Sequence, residues 1–185
     1  MNVYLSKKNL IYVGFGVIAF FVISVLLLLV LFNPYPLKYK SEIISASEKY
    51  NVPASLIASI IYAESCFDKN AKSESGAVGL MQILPSTAEW VCSQINLPFS
   101  NSTLYQPQEN IEIGTFYVKY LLNKFQDVNT SLASYNAGEG NVMLWLMNPK
   151  YSDDKVHIKT TPFKQTNAYV DKINSVLEIY EKKLS

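Results

Sequence analysis

The sequence predicts an all-α protein, a single domain preceded by an N-terminal transmembrane helix. Three observations carry that expectation. No stretch alternates apolar and polar residues as a half-buried strand would, whereas from Lys40 onward apolar residues recur at three- and four-residue spacing. Proline, asparagine and glycine separate the segments that hold this period, and these residues open and close helices. Ahead of them, Leu10–Phe32 contains no charged residue. A chain of 185 residues can enclose one real core.

Taken in order, residues 1–9 form a short tail and 10–32 a run long enough to cross a bilayer as a helix. A cleavable signal peptide is the competing reading, but its apolar region is shorter and ends in small residues. This run ends Leu29-Val30-Leu31-Phe32-Asn33-Pro34, and no cysteine follows closely to take a lipid. An uncleaved membrane anchor is therefore the expectation. Lys7 and Lys8 precede the run and Lys38 and Lys40 follow it, so charge sets its orientation only weakly. Residues 33–40, with Pro34 and Pro36, make a stiff spacer, and 41–185 the domain.

Within the domain, Lys40–Tyr50 reads as a helix with Ile43, Ile44 and Ala46 inward and Asn51 as its stop. Pro53 suits the first position of the next helix, whose stripe is Leu56, Ile57, Ile60 and Ile61. Asp68–Ser75 is polar loop. Pro85–Asn96 buries Ala88, Val91, Cys92 and Ile95, and Leu97–Gln106 is turn-rich. Pro107 opens the longest helix of the domain, with Gly114 in its stripe as the mark of a close helix crossing. Short helices follow at Ser131–Asn136, ended by Gly138, and at Val142–Met147. Tyr151–Thr161 is loop, and Thr166–Lys183 is the last helix, with Tyr169, Ile173, Val176 and Tyr180 inward.

Composition excludes several functions. A net charge of +1 leaves no large basic surface, so nucleic acid is not a partner. The single histidine, His157, and the lack of a His-Glu-x-x-His motif argue against a zinc site, and no cofactor is implied. Cys66 and Cys92 are read as small core residues, with a disulfide as the alternative.

One acid stands out. Glu64 lies four residues after Ile60 and three after Ile61, on the apolar face of its helix. A carboxylate there is costly unless it is paired or stays protonated. A salt bridge at the helix end is one reading. A carboxylic acid kept neutral near pH 7, able to protonate a glycosidic oxygen, is the other.

The residues around Glu64 carry a resemblance. Glu64-Ser65-x-Phe67, Gly76-Ala77-x-Gly79-Leu80-Met81-Gln82-Ile83-x-Pro85-x-Thr87-Ala88 and Ala133-Ser134-Tyr135-Asn136-Ala137-Gly138 are similar to the three signature motifs of the soluble lytic transglycosylase (SLT, goose-type-lysozyme-like) domain. The resemblance spans about Ser41 to Tyr180, and Asn110-Ile111-x-x-Gly114 falls within it. It implies a lysozyme-like fold and a peptidoglycan lytic transglycosylase that cuts the β-1,4 bond between N-acetylmuramic acid and N-acetylglucosamine without water. Glu64 would be the catalytic acid and then the base, taking a proton from the muramic 6-hydroxyl as a 1,6-anhydro ring closes. Substrate-binding roles would fall to Ser73 near the reacting sugar, Gln82 hydrogen-bonded to it, Met81 on the cleft floor, Tyr135 beside Glu64, Asn136, and Gln165 in the last motif. The implied partners are peptidoglycan glycan strands, the lipid bilayer through Leu10–Phe32, and proteins of the envelope machinery. The implied place is the cell membrane, single-pass, with the domain on the cell-wall side.

Pro162-Phe163-Lys164-Gln165-Thr166-Asn167-Ala168-Tyr169-Val170 resembles the family's last motif but departs from it. Gln165 stands where the family often has Glu, and Asn167 where it has Arg. Two other readings stay open beside the leading one: a muramidase using water on the same fold, and a non-catalytic glycan-binding scaffold.

Overall fold

Proline, asparagine and glycine cut the chain where the helical period predicts. This computed structural model describes residues 7–31 and 34–185, with side chains inside the first helix described at position 8 and over 12–25. Two compact units result, Met1–Tyr35 and Pro36–Ser185.

The first unit holds α1 (Lys7–Leu31). Tyr12, Phe15, Phe20, Phe21 and Ile23 are exposed along it. Among the described residues no helix is long and apolar enough to cross a membrane. Much of the expected span, Leu10, Ile11 and everything from Leu26 to Phe32, lies outside the described side chains, as does the tail over residues 1–6.

The second unit is helical: α2 (Lys40–Tyr50), α3 (Ala54–Ser65), α4 (Pro85–Ile95), a 3₁₀ turn η1 (Asn101–Tyr105), α5 (Pro107–Phe125), α6 (Val128–Ala137), α7 (Glu139–Leu146) and α8 (Lys164–Leu184). Asn51 and Asn96 close α2 and α4 in the left-handed conformation. Asp127 caps α6 through the Thr130 N–H, which starts that helix earlier than its apolar residues alone predict. Pro53 is the cap of α3 rather than its first residue.

α3 is the centre of the domain. Leu56, Ile57, Ala58, Ser59, Ile60 and Ile61 are all buried, so it is enclosed nearly all round rather than along one stripe. It packs chiefly on α8 and also on α2, while α5 lies against α2, α4 and α6. Leu121, Phe125, Ala133, Val142, Trp145 and Leu146 form a core where α5, α6 and α7 meet. Tyr180 Oη donates to Pro36 O at 2.9 Å and ties the last helix to the start of the domain.

Four local expectations change. The longest helix of the domain is α8, with 21 residues against 19 for α5, because its period continues to Leu184. Gly114 faces a side chain first: a Cβ there would stand 2.9 Å from Met81 Cβ, so the glycine makes room for Met81. Cys66 is exposed, Cys92 is buried, and both are free thiols. The loop after α3 carries antiparallel bridges, Lys72 to Val78 and Val78 to Ile83, too short for any alternating pattern.

Candidate active site

Glu64 sits in the last turn of α3, which ends because Cys66 (φ 51°) and Phe67 (φ 64°) are left-handed. Phe67 turns back into the core against the Tyr180 ring, centroids 5.9 Å apart. The turn leaves Glu64 at the negative end of the helix dipole and largely, though not wholly, removed from water, and both disfavour its charge. Burial is the main cause that lifts its carboxyl from 4.5 to about 7. The Tyr169 hydroxyl and the Lys172 ammonium oppose it without reversing it. Tyr169 Oη is buried and approaches the carboxylate without reaching full hydrogen-bond geometry. Lys172 Nζ donates to Ala63 O at 2.9 Å and lies over the Tyr62 ring. The salt-bridge reading of Glu64 therefore does not hold: no ion pair to it forms among the described residues.

Beside Glu64 the glycine-rich segment is folded back on itself. Ser65 Oγ donates to Leu80 O at 2.7 Å, joining α3 to this segment. Asn110, buried on α5, does more: its Oδ1 accepts from the Met81 N–H at 2.8 Å, and its Nδ2 donates to Val78 O at 3.0 Å and Leu104 O at 2.8 Å. Gly79 (φ 81°) is required there, since a Cβ would collide with the Asn110 amide and the Leu104 carbonyl. Gly76 (φ 86°) serves only its turn, with open space where a Cβ would go.

This scaffold places the predicted residues unequally. Tyr135 Oη donates to Met81 O at 2.8 Å, and its phenol is pushed well up by burial and then by the nearby Glu64 charge. Gln82, Tyr135 and Asn136 line one cleft of about 260 Å³, together with Ile83, Thr87 and Tyr117. Met81 is fully buried, packed against Gly114. The Gln82 amide donates to Ala71 O at 3.1 Å and Gly79 O at 3.0 Å, holding a left-handed residue (φ 48°) in the turn. Asn136 Oδ1 accepts from Thr166 Oγ1 at 2.9 Å, linking α6 to α8. Ser73 and Gln165 do not line the cleft. Ser73 Oγ accepts the Ala77 N–H at 2.9 Å and pairs with Ser75 Oγ at 2.8 Å. Gln165 is exposed on the first turn of α8. Asn167 fastens the preceding loop, accepting from the Thr161 N–H at 2.8 Å.

Sequence reasoning placed Tyr169 inward but assigned neither it nor Lys172 to Glu64. The signal was present in the pair itself, three residues apart and so on one helix face. Asn110 carried a weaker signal, a polar residue within an apolar stripe.

Glu64 does not itself line the cleft but lies near enough to Tyr135 on its wall for the two to interact electrostatically. A carboxylic acid raised to about 7, close to a cleft with amide and phenol groups on its walls, can give a proton to a leaving oxygen and take one back. Among the described residues no cluster of metal-ligating side chains accompanies it.

The chain is 35% identical over 143 residues to the soluble lytic murein transglycosylase of Escherichia coli (strain K12), covering 75% of this chain and 22% of that protein. It is 31% identical over 169 residues to the membrane-bound lytic murein transglycosylase C of Serratia proteamaculans (strain 568), covering 79% of this chain and 47% of the relative. The crystal structure of the 70 kDa soluble lytic transglycosylase of Escherichia coli superposes with a TM-score of 0.72 at 31% identity, over 82% of this chain and 25% of that one. The chain thus spans between a fifth and a half of the length of the relatives it matches. The transglycosylase SLT domain model matches residues 41–158, well over half of the sequence, and with the lysozyme-like all-α fold already described it follows that this chain belongs to the transglycosylase SLT domain family.

Proposed function

We propose that this chain is a peptidoglycan lytic transglycosylase, cleaving the MurNAc–GlcNAc β-1,4 bond and leaving 1,6-anhydro-MurNAc ends. The observation that carries the reading is Glu64, a carboxyl raised to about 7 beside the cleft of an SLT domain. In this reading Glu64 is the only carboxyl in the chemistry. Protonated, it gives its proton to the glycosidic oxygen as the C1–O bond breaks. As a carboxylate it then removes the proton of the muramic 6-hydroxyl, whose oxygen closes on C1. The proton removed replaces the one given, so the acid is restored without water. Lys172 and Tyr169 stabilise the carboxylate during the interval when it is charged.

Of the substrate contacts, Tyr135, Gln82 and Asn136 line the cleft and face the glycan, and Met81 supports Tyr135 from beneath through its carbonyl. Ser73 acts mainly by shaping the loop. Gln165, exposed at the start of α8, tunes the site without supplying charge.

The same reading makes Leu10–Phe32 a single-pass anchor in the cell membrane, with residues 33–40 as spacer and 41–185 on the cell-wall side. Its supports are the charge-free run, the apolar side chains exposed along α1, and a relative whose name is membrane-bound.

Mass spectrometry of peptidoglycan digested by the purified chain tests the proposal. Anhydro ends that vanish with Glu64→Gln are the expected result. Reducing ends would replace it with the muramidase reading, and no cut by the wild type would leave a glycan-binding scaffold.

A further inference from the structure

We infer that Trp90, with Tyr120 and Tyr117, forms a second carbohydrate subsite beyond the Glu64 cleft, an aromatic wall that grips glycan strands long enough to reach it. The inference rests on the glycan reading above and adds a residue-level contact to it.

The geometry begins at Tyr135. Its ring lies 5.4 Å from Tyr117, Tyr117 lies 6.2 Å from Tyr120, and Tyr120 lies 4.9 Å from Trp90. These rings follow the wall of a groove. The cleft at Tyr135 shares Thr87 and Tyr117 with a neighbouring cavity of about 380 Å³, lined further by Ser86, Trp90, Tyr120 and Glu139. The two cavities therefore run together along one wall, with the Tyr117 ring standing between Tyr135, at 5.4 Å, and Trp90, at 6.3 Å.

Trp90 is built to hold a ligand there. It is 38% exposed, with its indole on the wall of the second cavity. Yet it is held firmly: Phe116, Tyr117 and Tyr120 contact it at 55°, 80° and 66°, so no ring lies parallel against the indole. Tyr117 and Tyr120 are parallel to within 14°, one helical turn apart on α5. Glu139 holds the end of the wall, accepting from Tyr120 Oη at 3.1 Å and pairing with Lys124. A pyranose offers an apolar face of C–H groups ringed by hydroxyls. The exposed Trp90 indole, with the half-buried Tyr117 and Tyr120 beside it, suits the first, and Ser86, Thr87 and Glu139 suit the second. Because the rings are already ordered, binding costs little side-chain entropy.

The test uses the full chain in detergent carrying Glu64→Gln, so that glycan is bound but not cut, with N-acetylglucosamine oligomers of increasing length as probes. The protein has two tryptophans, and Trp145 is only 7% exposed, so quenching of fluorescence by acrylamide reports mainly on Trp90. Long oligomers should protect Trp90 from quenching, and oligomers too short to leave the Glu64 cleft should not. Trp90→Ala should weaken long oligomers about tenfold, at the lower end of what truncating an aromatic anchor costs, leave short ones unchanged, and be largely rescued by Trp90→Phe. Long oligomers that bind without protecting Trp90, or equal affinities for Trp90→Ala at every length, would overturn the subsite while sparing the glycan reading. Failure of the Glu64→Gln parent to bind any oligomer would overturn both. The quenching result stands even if Trp90→Ala does not fold.

Discussion

Glu64→Gln should stabilise the domain, and the gain should depend on pH in a way its structure dictates. Folding raises the carboxyl from 4.5 to about 7. Below about pH 4.5 the group is protonated in both folded and unfolded chains, so it costs nothing. Between 4.5 and 7 the unfolded chain loses its proton first, binds fewer protons than the folded one, and stability falls as pH rises. Above 7 the full penalty is present. At 1.36 kcal/mol per pH unit it is about 3 kcal/mol, an upper figure because Glu64 keeps some contact with solvent. Glutamine carries no such penalty. The melting temperature of Glu64→Gln should therefore match wild type near pH 4 and exceed it at pH 8 by roughly 5–10 °C for a domain of this size. Thermal melts of the two chains across that range, alongside digestion of peptidoglycan, make the assay. Activity should drop at least about 10²-fold, the lower range for general acid–base catalysis. A stability difference that is flat with pH, or that favours wild type at pH 8, would refute the claim that Glu64 is held neutral by burial.

Other perturbations follow from the same geometry. Tyr169→Phe and Lys172→Met each remove a group that favours the Glu64 carboxylate, so the alkaline limb of the pH–rate profile should move upward; a downward shift would be inconsistent with their placement. Asn110→Ala leaves Met81 N–H and the Val78 and Leu104 carbonyls without their partner, and should cost about 3 kcal/mol or more in denaturant unfolding. Gly114→Ala drives a methyl into Met81 and should cost about 1–3 kcal/mol, in part recovered with Met81→Ala as the second change. Intact cells treated with an impermeant protease should lose the domain over 41–185; full protection would reject the proposed topology.

How much was legible in the sequence differs between fold and site. Helices α2, α3, α4 and α8 were readable to within a few residues because period and caps are local, written within three or four positions. The motif around Glu64 was legible for the same reason. Its inward position followed from Ile60 and Ile61, and burial is what raises its pKa against the opposing effects of Tyr169 and Lys172. The roles of Ser73 and Gln82 were less so. Both motif residues spend hydrogen bonds on their own loop, Ser73 on Ala77 and Gln82 on Ala71 and Gly79, and a short polar loop offers no periodicity from which to read that. Gly114 shows the same limit: the need for a small residue was visible, but not whether a helix or Met81 would fill the space.

By itself the sequence determined the all-α class, the order of the helices, and an acid on the apolar face of its helix, since each depends on residues one helical turn apart. Only the tertiary structure decided what surrounds that acid. Lys172 reaches Ala63 across 109 residues, Tyr135 reaches Met81 across 54, and Asn110 reaches Met81 across 29. The aromatic wall from Tyr135 to Trp90 likewise joins α4, α5 and α6. No local pattern encodes such pairings. They arise because burying the stripes of α3, α5 and α8 together leaves one packing arrangement, and that packing, not helix propensity, brings α8 to the carboxyl of Glu64.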